Sequence, residues 1–204
     1  MPSHVVCLPG AAGAPELWNA VVDRLPPEWK VTTLGFPGAG AQPHDPAING
    51  YDDLVDHIAA RIPDGSDVVA HSMGGAVAIG VMLACPNKVR RVVLVATSGG
   101  FDVATDGAAC WRAEYVDEFP AAASWVTSDR PDYGGRLGGI TAPACLIWGD
   151  ADPISPLSAG MRLAAQLPCS VLHTVRGGTH QLVIDRAAEV ARLIEAHLDP
   201  RPAM

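Results

Sequence analysis

Three residue types that cooperate in nucleophilic catalysis follow three separate apolar stretches of the sequence. Ser72 stands in "AHSMGG", directly after the apolar run "DVVA". Asp150 and Asp152 follow "ACLIW", and His180 follows "SVLHTV". A serine hydroxyl becomes a nucleophile when an imidazole accepts its proton and a carboxylate orients that imidazole. These residues therefore predict acyl transfer through a serine nucleophile.

Ser72 occupies the junction between an apolar strand and a helix, and its neighbours are small. A serine on such a turn is held on a strained backbone, and strand and helix can meet only if the residues two positions away are small. Here those residues are Ala70 and Gly74. A helix beginning at Met73 also directs the positive end of its dipole at developing negative charge. The pattern predicts that Ser72 is the nucleophile; the alternative is a structural turn whose small residues serve packing alone.

The candidate acid and base follow the serine along the chain, each in a loop after a later strand. A lone histidine after a strand is most commonly structural, but a serine, a carboxylate and a histidine at matching positions favour a catalytic set. His180 is the predicted base, whereas His71 beside the serine is expected to point into the packing of the turn. The position after the strand alone does not choose between Asp150 and Asp152.

A serine nucleophile also requires hydrogen-bond donors for the oxygen that becomes negatively charged during acyl transfer. The backbone N–H of Met73, the residue after the nucleophile, is one predicted donor. The turn "LPGAAG" after the first apolar run supplies the other, the N–H of Ala11, because Gly10 lets the backbone come close. The alternative is an ordinary glycine-rich turn. It is not a phosphate loop, because the sequence contains no G-x-x-x-x-G-K pattern.

Six apolar runs rich in Val, Ile and Leu alternate with helical patterns along the chain. They predict strands at residues 4–8, 30–34, 67–70, 91–96, 144–148 and 170–175. Continuous apolar runs are typical of strands that are covered on both faces. Helical stripes lie between them, for example at 17–25, 51–62 and 183–194. Repeated strand–helix units predict a parallel sheet with helices on both faces and a ligand site at the carboxyl ends of the strands.

The segment 101–139 interrupts this alternation. It contains no convincing strand, but aromatic residues recur in it at four-residue spacing. We therefore expect one domain over residues 1–204, with a short helical cap inserted at about 101–139. The candidates to line a substrate pocket are Trp111, Tyr115, Phe119 and Trp125. The alternative is an aromatic stripe that serves packing alone.

Composition and charge argue against several classes of protein. A formal net charge of −8 with only two lysines argues against nucleic-acid binding, which requires clustered basic residues. The five cysteines form no C-x-x-C pair, so we expect reduced thiols and neither a metal site nor a cofactor. The amino-terminal stretch shows no signal-peptide pattern, and no apolar run is long enough to span a membrane. We expect a cytoplasmic protein that acts on a small molecule.

Five motifs in order carry a resemblance to a known family. They are "LPGAAG" followed by "LW", then "LGFPGAGAQP", "AHSMGG", "GGITAPACLIWGDADPISP" and "GGTHQLV". Over nearly its whole length the chain resembles the α/β-hydrolase superfamily, and it looks most like small esterases with a lid. The resemblance implies that the acid is Asp152, three residues after the glycine of the "WG" turn, and that His180 is the base. It also implies that Met73 and Ala11 supply the oxyanion donors.

The resemblance implies a fold as well. We expect an α/β protein with about six mostly parallel strands in the order 2-1-3-4-5-6, helices on both faces and a short helical cap. The sequence departs from the family pattern at Pro9-Gly10, where many members have His-Gly. The antiparallel strands that usually open the fold are also missing, since the first predicted strand begins at about His4.

Three functional hypotheses follow from these residues. The first is a serine hydrolase that cleaves a small carboxylic ester, or a thioester or lactone, through an acyl-enzyme. The second uses the same triad for hydrolysis of a C–C bond or for a lyase reaction. The third is a non-catalytic ligand-binding protein, because a fold alone does not prove a function. The intact set of Ser72, Asp152 and His180 favours an enzyme.

Overall fold

The computed structural model describes residue 2, residues 4–128 and residues 132–199. Six strands in this part of the chain form one sheet, in which each neighbouring pair is parallel. The strands are β1 (Val5–Leu8), β2 (Val31–Thr33), β3 (Ser66–His71), β4 (Val89–Val95), β5 (Ala144–Gly149) and β6 (Ser170–Val175). They lie in the order β2-β1-β3-β4-β5-β6, which confirms the predicted order.

The sheet has an apolar core on each face because side chains alternate along every strand. On β1, Val6 and Leu8 pack into one core, whereas Val5 and Cys7 pack into the other. Strands β1, β3 and β5 are buried over their whole length, as their apolar composition predicts. The edge strands β2 and β6 are partly exposed.

Helices cover both cores. The helices are α1 (Asn19–Val22), α2 (Tyr51–Ala59), α3 (Met73–Ala84), α4 (Arg112–Glu118), α5 (Leu157–Gln166), α6 (Leu182–Asp185) and α7 (Ala187–Leu198). Helices α2, α3 and α5 pack on the core that contains Val6, and α1, α6 and α7 pack on the core that contains Val5. Within the described residues, none of these helices is long and apolar enough to cross a membrane.

Two predicted helices differ from those observed. The stripe at 17–25 forms a 3-10 turn at Pro15–Trp18 followed by the single turn α1. The stripe at 183–194 is divided at Arg186, whose φ of −123° lies outside the helical region. Apolar periodicity does not reveal this break because buried residues continue on the same face on both sides of it.

Strands β3 and β4 extend further than the apolar pattern predicts. The structure extends β3 over Ser66–His71, one residue beyond the predicted 67–70 at each end, and it begins β4 at Val89 instead of residue 91. The reason is a cross-strand ion pair, in which Arg90 and Arg91 both donate to the fully buried carboxylate of Asp67. A further charged residue, Arg90, precedes the predicted start of β4, but its pairing with Asp67 lets the strand include it.

The segment between β4 and β5 forms a helical cap over the carboxyl edge of the sheet. It contains α4 and 3-10 turns at Ala104–Asp106, Ser124–Thr127 and Gly134–Gly139, and it has no strand among its described residues. Residues 129–131 of the predicted cap lie outside the described part of the chain. The α4 rings pack on each other, with Trp111 edge-on to Tyr115 at 5.5 Å and Phe119 at 5.1 Å from Tyr115.

Candidate active site

The predicted nucleophile, acid and base come from three loops at one edge of the sheet. Ser72 connects β3 directly to α3, Asp152 follows β5, and His180 lies between β6 and α6. Because all strands are parallel, their carboxyl ends meet at the same edge. The structure therefore brings the three residues together, although 108 positions separate Ser72 from His180.

Ser72 has a strained backbone that raises its side chain above the sheet. Its φ of +51° and ψ of −119° are unusual for a residue with a side chain. The two glycines that follow are required by close packing. A Cβ on Gly74 would collide with the carbonyl of Pro9, and a Cβ on Gly75 would collide with the side chain of Thr97. The small residues of "AHSMGG" thus allow α3 to start directly behind the serine.

A continuous hydrogen-bonded chain links the three side chains. Nε2 of His180 lies 3.0 Å from Oγ of Ser72, and Nδ1 of His180 lies 2.8 Å from Oδ2 of Asp152. An ionised carboxylate only accepts hydrogen bonds, so Nδ1 carries the imidazole proton. Nε2 is then the acceptor that faces the serine hydroxyl. This arrangement can withdraw a proton from Ser72 as the hydroxyl attacks a carbonyl carbon.

The Asp152 carboxylate is buried and fixed from both sides. Its Oδ1 accepts the backbone N–H groups of Ile154 at 2.8 Å and Ser155 at 2.9 Å, and the residue is only 5% exposed. Asp150 has a different task, because its Oδ1 accepts the N–H of Gly177 at 2.6 Å. Of the two aspartates after β5, Asp152 is the one hydrogen-bonded to the imidazole of His180.

Thr97, which follows β4, holds the nucleophile from behind. Its hydroxyl donates to the carbonyl of Ser72 at 2.6 Å, and the N–H of Gly75 donates to the same carbonyl at 3.0 Å. Both bonds fix the peptide that follows the serine. Sequence analysis did not identify Thr97, although it occupies the same post-strand position as the predicted site residues.

His71 supports the loop that carries the base. The residue is 4% exposed, and its Nε2 donates to the backbone carbonyl of His180 at 2.9 Å, while the two rings lie 5.0 Å apart. Burial, with a smaller effect of the nearby His180 imidazole in the same direction, lowers the pKa of His71 from 6.5 to about 3. His71 is therefore neutral at ordinary pH. Sequence analysis expected it in the packing of the turn and missed this hydrogen bond.

The two predicted oxyanion donors lie beside the nucleophile. Ala11 and Met73 both line the cavity that contains Ser72. Within the described residues, neither backbone N–H donates a hydrogen bond to another protein group. The N–H of Met73 belongs to the first turn of α3, where helices leave their N–H groups unpaired. Both amides are thus available to a developing oxyanion. Gly10 packs closely beside them, since a Cβ there would lie 3.1 Å from Nδ1 of His71 and 3.3 Å from Cβ of Ser72.

Two chambers meet at Ser72. The first chamber has a volume of about 510 Å³ and the second about 420 Å³. Their shared walls are Ala11, Ser72, Trp111, Ile154 and His180. Because the hydroxyl of Ser72 lies where they join, a substrate bound across it can place one group in each chamber. This is the geometry required to cleave a bond between two substituents.

The cap supplies three of the four predicted pocket-lining aromatic residues. Trp111 lines both chambers, and Tyr115 and Phe119 line the second. Trp125 lines neither of these two chambers. It is buried against the loop after β2, where its Nε1 lies 3.6 Å from the position of a Cβ on Gly38. The structure therefore does not bring Trp125 together with the rest of the predicted site.

Charged side chains in the two chambers are mainly acidic. The first chamber includes one arginine, Arg112, and two aspartates, Asp102 and Asp132. Nε of Arg112 donates to the carbonyl of Thr127 at 3.0 Å. The second chamber includes Glu114 and Glu118, and its described lining residues include neither arginine nor lysine. In the described ranges, no cluster of three or more His, Cys, Asp or Glu side chains could hold a metal ion.

The family follows from the sequence match as well as from the fold. Residues 5–193 match the alpha/beta hydrolase family, so the chain belongs to that family. The predicted fold and the predicted α/β-hydrolase type of enzyme are confirmed. The resemblance stated from five short motifs thus extends over almost the whole chain.

Two curated relatives cover most of this chain. A pimeloyl-[acyl-carrier protein] methyl ester esterase from Aromatoleum aromaticum is 26% identical over an alignment of 243 positions, gaps included. The alignment covers 94% of this chain and 96% of the relative. A 2-hydroxy-6-oxononadienedioate/2-hydroxy-6-oxononatrienedioate hydrolase from Cupriavidus pinatubonensis is 25% identical over an alignment of 238 positions, gaps included. The alignment covers 91% of this chain and 82% of that relative. The chain is therefore similar to both an esterase and a hydrolase of another class.

Solved structures show the same fold at lower identity. A meta-cleavage product hydrolase from Pseudomonas fluorescens aligns with a TM-score of 0.79 and 18% identity, covering 97% of this chain and 90% of that one. A thermophilic esterase from Thermogutta terrifontis also aligns with a TM-score of 0.79, at 17% identity, covering 97% and 89%. At such identities the likeness establishes the fold and leaves the substrate open.

Proposed function

We propose that the protein is a serine hydrolase that cleaves a small-molecule carboxylic ester through an acyl-enzyme. The observation that carries this proposal is the hydrogen-bonded chain from Ser72 through His180 to Asp152, placed where two chambers join. It supplies a nucleophile, a base and an orienting carboxylate at a point where both halves of an ester have space. We propose the same roles for these residues that the sequence predicts.

The reaction proceeds in two halves. Oγ of Ser72 attacks the ester carbonyl while Nε2 of His180 takes its proton, and the N–H groups of Met73 and Ala11 stabilise the oxyanion. The imidazolium then protonates the leaving alkoxide, and the C–O bond breaks to leave an acyl-serine and a free alcohol. Asp152 holds the imidazole in one tautomer and stabilises its charged form.

A water molecule completes the second half. Nε2 of His180 takes a proton from the water as the water oxygen attacks the acyl carbon. His180 then returns that proton to Oγ of Ser72 as the C–O bond to the serine breaks, which restores the hydroxyl. The products are the carboxylic acid and the regenerated enzyme. A thioester or a lactone fits the same steps, because only the leaving atom or its tether differs. No metal or organic cofactor enters these steps.

Hydrolysis of a C–C bond is the second candidate, and the name of one relative motivates it. That name describes a dioate, a substrate with two carboxylates. Among the described lining residues the two chambers contain four carboxylates and one arginine. Bringing a dianion into such surroundings costs electrostatic free energy. The charges therefore favour an uncharged ester over a dianionic substrate.

A comparison of two substrate types tests this proposal. We expect p-nitrophenyl esters of short to medium chain length to give an initial burst of p-nitrophenol close to the enzyme concentration, followed by slower turnover. Ser72→Ala should abolish both phases. Faster turnover of a vinylogous 1,5-diketone acid than of every ester would replace the proposal with C–C hydrolysis. Tight ligand binding that Ser72→Ala leaves unchanged, without turnover of either type, would indicate a binding protein.

A further inference from the structure

The turn that carries the second oxyanion donor is held by its own backbone. The N–H of Gly13 donates to the carbonyl of Gly10 at 3.0 Å. The N–H of Ala11 belongs to the same planar trans peptide as that carbonyl, so it points in the opposite direction. The bond between Gly13 and Gly10 therefore sets the plane of the peptide that presents the Ala11 N–H.

A side chain from the cap fixes the next peptide of this turn. The hydroxyl of Tyr115 donates to the carbonyl of Ala11 at 3.1 Å and accepts the N–H of Gly40 at 2.7 Å. One hydroxyl thus connects the oxyanion turn, the loop after β2 and the cap helix α4. With the Gly10 carbonyl held on one side and the Ala11 carbonyl on the other, rotation of the Ala11 backbone is restricted.

The position of the Tyr115 hydroxyl is itself well defined. The residue is 7% exposed, and its ring packs between those of Trp111 and Phe119. Gly40, in the loop after β2, also approaches the turn so closely that a Cβ there would collide with the carbonyl of Ala12. Contacts from α4 and from the loop after β2 therefore both restrict the turn.

We propose that Tyr115 is a positioning residue for the oxyanion hole, so that stabilisation of the transition state depends on the cap being seated on the turn. This inference rests on the proposed hydrolase function, since it assigns the Ala11 N–H to the oxyanion. A donor that is needed only when negative charge develops contributes to kcat and little to substrate binding. Misplacement of the Ala11 amide should therefore appear in kcat.

Tyr115→Phe removes the hydroxyl and keeps the ring. We expect kcat for a p-nitrophenyl ester to fall about tenfold or more, because loss of a whole oxyanion donor costs about 10²–10³ in rate. KM should stay within about twofold of wild type, as expected for an interaction made only in the transition state. Affinity for an alkyl boronic acid, which forms a tetrahedral anion on Ser72, should fall by a factor similar to that in kcat.

Tyr133→Phe is the matched control. Tyr133 is another buried cap tyrosine whose hydroxyl lies against Gly80 and which lines neither chamber. Its loss of a hydroxyl should leave kcat and boronic acid affinity unchanged. A kcat for Tyr115→Phe within twofold of wild type, or an equal loss in Tyr133→Phe, would overturn the proposal. A rise in KM with constant kcat would assign Tyr115 to substrate binding instead.

A second variant keeps the test decisive if Tyr115→Phe does not fold. Gly40→Ala puts a Cβ against the carbonyl of Ala12 and so disturbs the same turn while the Tyr115 side chain stays intact, and we expect it to lower kcat selectively as well. A folded Gly40→Ala enzyme with wild-type kcat would contradict the proposal. Failure of wild type to hydrolyse any ester would instead refute the proposed function, so the two failures are distinguishable.

Discussion

At the residue scale, Ser72 has a strained backbone that costs stability in the position from which its hydroxyl can react. A side chain at φ +51° is sterically unfavourable, and its persistence depends on the surrounding turn. The carbonyl of Ser72 accepts hydrogen bonds from the Thr97 hydroxyl and the Gly75 N–H, which fix the peptide that follows the serine. The serine is thus held in place by backbone contacts that take no part in proton transfer.

Replacing Ser72 with glycine should therefore relieve strain that alanine retains. We expect Ser72→Gly to be more stable than Ser72→Ala by about 1 kcal/mol, since glycine adopts positive φ at no steric cost. Both variants should be inactive. Urea unfolding monitored by circular dichroism measures the difference, and an alanine variant at least as stable as the glycine variant would show that the turn is not strained.

The buried His71 makes the stability of the protein depend on pH. Burial first, and then the neighbouring His180 imidazole, lower its pKa from 6.5 to about 3 in the folded protein, against the weaker opposite effects of its hydrogen bond to the His180 carbonyl and of Asp152. Between these values the unfolded chain binds more protons than the folded one. The stability that the neutral His71 contributes is therefore fully present above pH 6.5 and is lost as the pH falls toward 3. The free energy of unfolding declines by at most about 1.4 kcal/mol per pH unit for this group.

A variant without the imidazole tests this dependence. His71→Gln retains a donor for the carbonyl of His180 but does not titrate, so its free energy of unfolding should decline less steeply between about pH 6.5 and pH 4. Histidines other than the neighbouring His180 contribute equally to both proteins and cancel in the difference. Urea midpoints measured across this range provide the comparison. Parallel slopes for wild type and His71→Gln would contradict the assigned pKa.

At the element scale, the sequence predicts those residues of the candidate site that come directly after a strand. Ser72, Asp152 and His180 each come just after an apolar run, and the parallel sheet gathers those positions at one edge. Contacts between distant segments leave no such local signal. The hydroxyl of Tyr115 reaches Ala11 across 104 positions, and His71 reaches His180 across 109.

The aromatic cap residues show where periodicity stops being informative. Trp111, Tyr115 and Phe119 lie on α4 or at its ends, and all three line the second chamber. Trp125 belongs to a separate 3-10 turn, Ser124–Thr127, after the chain has changed direction. Spacing along a helix has no meaning across such a change, and the indole packs under the loop after β2 instead.

The packing of α3 against the strands gives a prediction at this scale. A Cβ at Gly75 would overlap the side chain of Thr97, so Gly75→Ala should destabilise the fold by about 1–3 kcal/mol, the usual cost of overpacking. Gly50→Ala is the matched control, because nothing lies within 4 Å of its added Cβ. Chemical denaturation of both variants measures the effect, and equal stabilities would refute tight packing behind the nucleophile.

At the scale of the whole molecule, the two edges of the sheet have different tasks. The carboxyl edge carries the candidate site and the cap, whereas Asp67 near the start of β3 pairs with Arg90 and Arg91 of β4. Two apolar cores between these edges hold the strands in register. The candidate site therefore lies on a sheet that is packed on both faces, and the cap supplies further residues that line the two chambers.

The central claim is that Ser72 is a nucleophile activated by His180, and labelling with a fluorophosphonate followed by intact-mass measurement tests it most directly. We predict one adduct on wild type, mapped to Ser72, absent from Ser72→Ala and slowed about 10²-fold or more in His180→Ala. Ser170→Ala, at the start of β6, should label like wild type. No adduct on folded wild-type protein, or an adduct that persists in Ser72→Ala, would contradict the account.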